Sequence, residues 1–179
     1  MSPRFGADAL QDARVQELQR WVLEWVVGLN LCPFAKAPLD SGRVGWGIEE
    51  GDDSAVIDAL LLAIDEIEAG RCDTLLLALP WFLDFYELMD CVAACEALLD
   101  QAGLSERYQL AHFHPRYIFE DVEFDDASNL TNRSPVPALH LLRTQDVAWA
   151  VDKHPDIASV PERNVALLRE LAAKGQLPG

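Results

Sequence analysis

Positive charge is scarce in this chain: 14 Lys and Arg stand against 30 Asp and Glu in 179 residues, a formal net charge of −16. Such a balance repels phosphate backbones and anionic lipid, so neither nucleic acid nor a membrane surface is an expected partner. Small molecules and protein partners remain. Long hydrophobic runs are also missing. The longest apolar stretch, Leu75 to Leu83, is broken by Pro80 and is far too short to span a bilayer. The opening residues MSPRFGADALQDARVQ carry no apolar core of the kind a secretory signal needs, and a cytoplasmic location is therefore expected. The four cysteines, Cys32, Cys72, Cys91 and Cys95, include no Cys-x-x-Cys pair, so neither a disulfide framework nor a zinc cluster is spelled out, and no cofactor is indicated. No internal repeat, low-complexity tract or long linker divides the chain, and residues 1–179 read as one domain, long enough to bury a real core.

What is present is periodicity. Val15, Leu18, Val22, Trp25, Val26 and Leu29 form a helical stripe that should be buried, with Gly28 and Asn30 marking its end. A first strand is expected from Arg43 to Glu49. A second helix, capped by Ser54, presents Val56, Leu60, Ile64 and Ile67 inward. Thr74 to Leu79 reads as a strand covered on both faces, Trp81 to Gln101 as a third helix, and Tyr108 to His114 as a third strand. A loop then runs to Ser134, followed by helices from Pro135 to about Val151 and from about Pro161 to Lys174. Strands alternating with helices predict an α/β fold: a small, mostly parallel, three- or four-stranded sheet with about five helices. A ferredoxin-like α+β arrangement follows instead if Ile118 to Phe124 forms a strand.

Three stretches carry chemistry. In LNLCPFA, Cys32 precedes a proline that suits the start of a short helix, so its thiol is expected to feel a helix N-terminus and Lys36 and to be a candidate nucleophile. The bland alternative is a small apolar residue at a helix junction. The triplet also resembles the active-site turn of glutaredoxins and omega-class glutathione transferases, but there it follows a strand and here an amphipathic helix. In QLAHFHPRY, His112 and His114 fall on one face of a strand, a pairing that suits acid–base work or, with a downstream Asp, metal ligation. Hydrogen-bonded structural histidines are the plain alternative. In NLTNRSPVP, Ser134 and Pro135 look like the cap and first position of a helix, and Asn129, Asn132, Arg133 and Ser134 form a candidate anion-binding group. An ion pair from Arg133 to the acids between Glu120 and Asp126 is the competing reading.

The motifs LNLCPFA, FHPRYIFED and NRSPVPALHLLR, in this order, resemble an uncharacterised bacterial family, domain of unknown function 1415. That resemblance implies a name and no chemistry. The residues themselves lead to an enzyme acting on a small anionic metabolite, with Cys32, His112 and His114 as catalytic candidates. The alternatives are a metal-binding protein centred on His112 and His114, and a non-catalytic interaction module built on exposed tryptophans.

Overall fold

A computed structural model describes residues 2–154 and 156–177. The elements run β1 (Arg4–Phe5), α1 (Ala13–Trp21), a π-helical turn (Val22–Val27), α2 (Lys36–Asp40), β2 (Val44–Ile48), α3 (Asp53–Glu68), β3 (Thr74–Ala78) and α4 (Phe85–Gln101), then β4 (Tyr108–Phe113), β5 (Ala138–Arg143), α5 (Thr144–Lys153) and α6 (Val160–Lys174). The five strands form one sheet in the order β1-β2-β3-β5-β4. Only β2 and β3 run parallel, joined by α3. The pairs β1/β2, β3/β5 and β4/β5 are antiparallel.

The sheet is therefore mixed and mostly antiparallel, with five strands rather than three or four. The reason lies in Pro135 to Arg143. Val136, Leu139 and Leu142 have helical spacing, but Pro137 has no amide hydrogen and pushes the residue before it into extended backbone. The segment becomes β5, which inserts between β3 and β4. Ile118 to Phe124 stays a loop, so the alternative that depends on a strand there does not form. The expected helix to Val151 survives only as α5. Helix α3 is capped by Asp52 rather than Ser54, the Asp52 carboxylate accepting from the Ala55 amide at 3.3 Å. Asp84 caps α4 by accepting from the Tyr86 amide at 2.8 Å.

Alternation along the strands builds two cores. Leu75, Leu77, Leu139 and Leu141 face α3 and α4, meeting Val56, Leu60, Leu88 and Cys95. Trp46, Ile48, Leu76, Ala78 and Ala138 face the opposite way, against Val15, Leu18, Trp21 and Val22. Strand β3 is buried along its whole length, as its unbroken apolar run predicts. No helix among the described residues is long and apolar enough to cross a membrane.

Candidate functional site

A cavity of about 250 Å³ lies on the α1 face of the sheet. Register sets its floor: Val44 pairs with Thr74 and Leu76 with His140, so Val44, Thr74, Leu76 and His140 share one face, joined by Phe113 and Leu142. Its roof is the π-helical turn and the loop carrying Cys32. In that turn the Gly28 amide donates to the Leu23 carbonyl at 3.0 Å and the Leu31 amide to the Val26 carbonyl at 2.8 Å, both five residues back. A Cβ at Gly28 would stand 2.2 Å from the Glu24 carbonyl oxygen, so the wider turn is closed by a residue without one. Asn30 then takes a left-handed conformation (φ 52°), which asparagine tolerates better than most residues.

Helix α6 holds this loop from the side. Asn164, 6% exposed, donates to the Leu31 carbonyl at 2.6 Å, and Arg163 donates to the Asn30 carbonyl. The chain turns again where the Ala35 amide meets the Cys32 carbonyl at 3.2 Å. Cys32 lines the cavity. Burial pushes its thiol above the ordinary value, with the backbone amides of Phe34 and Ala35 pulling less strongly the other way. The expected activation by a helix start and a lysine does not arise. Helix α2 opens only at Lys36, whose ammonium is paired with Asp40 at 2.7 Å. Cys32 is half-buried while Cys72, Cys91 and Cys95 are buried. Alkylation should therefore reach Cys32 first, yet slowly at pH 7, and accelerate only above the ordinary thiol range of about 8.5. Mass mapping of alkylated peptides across pH checks this, and rapid labelling at pH 7 would contradict it.

His140 is the residue that reasoning from the sequence passes over, although it stands inside the quoted NRSPVPALHLLR motif. A single histidine in an apolar run reads as core, and only the pairing of β5 with β3 brings it to the cavity. Thr74 donates its hydroxyl to the Leu141 carbonyl at 2.7 Å, so its oxygen accepts from His140 Nε2 at 2.7 Å. The tautomer is thereby set, with the proton on Nε2 and the lone pair on Nδ1. Burial pulls the imidazole down to about 4, so it is neutral at pH 7. Trp21 also lines the cavity, and its indole N–H is buried without an acceptor.

The other expected residues lie elsewhere. His112 pairs with Leu139 on the α3 and α4 face, away from the cavity, and stacks on Tyr117 with ring centroids 5.6 Å apart. Burial lowers its pKa. His114 is 1% exposed with both nitrogens engaged, Nε2 with the Phe82 carbonyl at 3.0 Å and Nδ1 accepting from the Arg116 amide at 2.9 Å. Among the described residues no three His, Cys, Asp or Glu side chains gather as a metal site requires.

The anion reading loses its physical ground, because no helix starts at Pro135. Ser134 is buried and donates to the Val136 carbonyl at 2.5 Å. Arg133 donates to the carbonyls of Tyr117 at 3.0 Å and Phe124 at 2.6 Å rather than pairing with an acid. Asn129, fully buried, accepts from the Phe119 amide at 3.0 Å and donates to the Glu123 carbonyl at 2.8 Å and the Phe124 carbonyl at 3.1 Å. Asn132 donates weakly to the His112 carbonyl at 3.3 Å and alone of the four lines the cavity. The histidine and NRSP motifs do meet, through the main chain: the His114 amide donates to the Asn132 carbonyl at 3.2 Å.

Fold and site together define a mixed α/β protein with an apolar cavity between a five-stranded sheet and a π-helical turn. The chain belongs to the family described as a protein of unknown function, DUF1415, which matches residues 13–176. Neither a curated protein nor a solved structure matches it.

Proposed function

We propose that the protein binds a small, neutral, largely hydrocarbon molecule in the cavity beneath the Cys32 loop. The observation that carries this is the lining. Its walls are mostly apolar, no Arg or Lys takes part, and the polar groups that do are Trp21, Cys32, Thr74, Thr131, Asn132, His140 and Asn164. A carboxylate or phosphate would be buried there without a cation, at a cost several times that of a satisfied hydrogen bond. A neutral ligand with a donor group would find an acceptor in His140 Nδ1. The volume, about 250 Å³, sits below the usual range for drug-sized ligands and suits a compact metabolite.

A catalytic version of this reading draws support from Cys32 and His140 lining the same cavity. With thiol and imidazole both neutral at rest, such chemistry needs the ligand in place to begin.

Benzamide and benzoate, alike in shape and different in charge, test the proposal. Benzamide is expected to bind and raise the unfolding temperature, and benzoate not to. His140→Leu, which removes that acceptor, should weaken benzamide by up to about tenfold, the worth of one hydrogen bond. Val26→Phe, which fills the cavity, should abolish binding. Equal affinity for benzoate, or no effect of His140→Leu, would count against the reading.

A further inference from the structure

Outside the cavity, the loop from Ile118 to Phe124 faces the first turn of α4 across an open groove of about 820 Å³. Phe85 and Tyr86 line one side, Phe119 and Phe124 the other. Two of these rings are open to solvent, Tyr86 at 69% exposure and Phe124 at 46%. The same loop contributes Glu120, Asp121 and Glu123, all exposed, none of which forms an ion pair among the described residues. Exposed aromatic rings beside unpaired carboxylates are what a guanidinium or ammonium group needs. The rings offer their negative faces, the carboxylates offer charge and hydrogen-bond acceptors, and apolar surface covers the aliphatic stem. The protein already uses this chemistry once, since the Arg133 guanidinium lies over the Phe124 ring at 4.4 Å from its centroid.

The groove is also built in advance. Asn129 and Arg133 spend their hydrogen bonds on the main chain at Tyr117, Phe119, Glu123 and Phe124, which fixes the loop from beneath. This gives the Asn129 and Arg133 positions a purpose that the anion reading did not. A preformed wall lowers the ordering cost of docking.

We propose that this groove binds an arginine- and lysine-bearing segment of another protein. An acidic or purely apolar segment would meet three carboxylates with nothing to pair them. A basic one completes them, and the net charge of −16 speeds its approach.

The test is calorimetric titration of the whole protein, at low ionic strength, with the amidated peptide acetyl-Arg-Ala-Arg-Lys-Ala-Arg. Saturable binding is expected, weakened about tenfold or more by the triple variant E120Q/D121N/E123Q. Tyr86→Ser leaves the charge unchanged and should still weaken binding several-fold. The variant D58N/D65N/E162Q removes the same number of exposed carboxylates elsewhere and should leave affinity within about twofold. Circular dichroism checks that each variant is folded. Absence of saturable binding would overturn the proposal, as would unchanged binding by Tyr86→Ser. An equal loss in the remote triple variant would overturn it too, by reducing the effect to the overall negative field.

Discussion

Asn129→Leu should destabilise the fold by about 3 kcal/mol while leaving its response to phosphate unchanged. Asn129 is fully buried, and its amide holds one main-chain N–H and two carbonyls of the loop between Phe119 and Phe124. Leucine keeps the volume and removes all three bonds. Phe124 retains Arg133 as a donor, but the Phe119 amide and Glu123 carbonyl lose this partner, and each buried group left unpaired costs about 1–3 kcal/mol. Urea denaturation of parent and variant, each with and without phosphate, separates two roles. A residue that ligates an anion would cost little in its absence and would cancel anion-dependent stabilisation. A residue that ties a loop costs the same either way. A loss below about 1 kcal/mol, no more than an ordinary substitution, would mean that the loop does not depend on Asn129.

This case marks where local reasoning from the chain stops. The stripe Val15, Leu18, Val22 declares its helix because spacing and burial agree, and Thr74 to Leu79 declares a buried strand because nothing polar interrupts it. Family membership is equally legible, its motifs being long and ordered. Pro135 to Arg143 is ambiguous because Val136, Leu139 and Leu142 fit a helix while Leu139 and Leu141 fit a strand. Pro137 decides between them, and with it both antiparallel pairings of β5. The site suffers most from this. Cys32 is visible from its neighbours, but which histidine lines the same cavity depends on pairings across the sheet. A sheet read as parallel also directs attention to the carboxyl edge, whereas this cavity is lined by Val44 and Thr74, where β2 and β3 begin. Arg133 shows the same limit from another side. Its cation suggests an anion, and only the path of the loop reveals carbonyl acceptors at Tyr117 and Phe124.

His140 makes the largest pH-dependent prediction. Burial holds its folded pKa at about 4, against about 6.5 in an unfolded chain. Above pH 6.5 the imidazole is neutral in both states and contributes no pH dependence. Between pH 6.5 and 4 the unfolded state takes up a proton that the folded state refuses, so stability falls as pH falls. The full loss, at 1.36 kcal/mol for each pH unit between about 6.5 and about 4, is about 3 kcal/mol and is complete just below pH 4. His112 and His114 are lowered by burial as well and steepen the same descent. The paired carboxylates Asp12 and Asp126, held well below the usual range by Arg14 and Arg169 respectively, begin to cost stability only below about pH 5 and do so equally in parent and variant. His140→Gln keeps a side-chain N–H for Thr74 and cannot ionise, so its stability should decline by about 3 kcal/mol less than the parent's from pH 7 to pH 4. Urea denaturation at half-unit pH steps measures both curves. Parallel curves would mean that His140 is protonated as easily in the folded protein as in the unfolded chain, and below about pH 6.5 the cavity would then hold a charged imidazole rather than the neutral acceptor on which binding of an uncharged ligand relies.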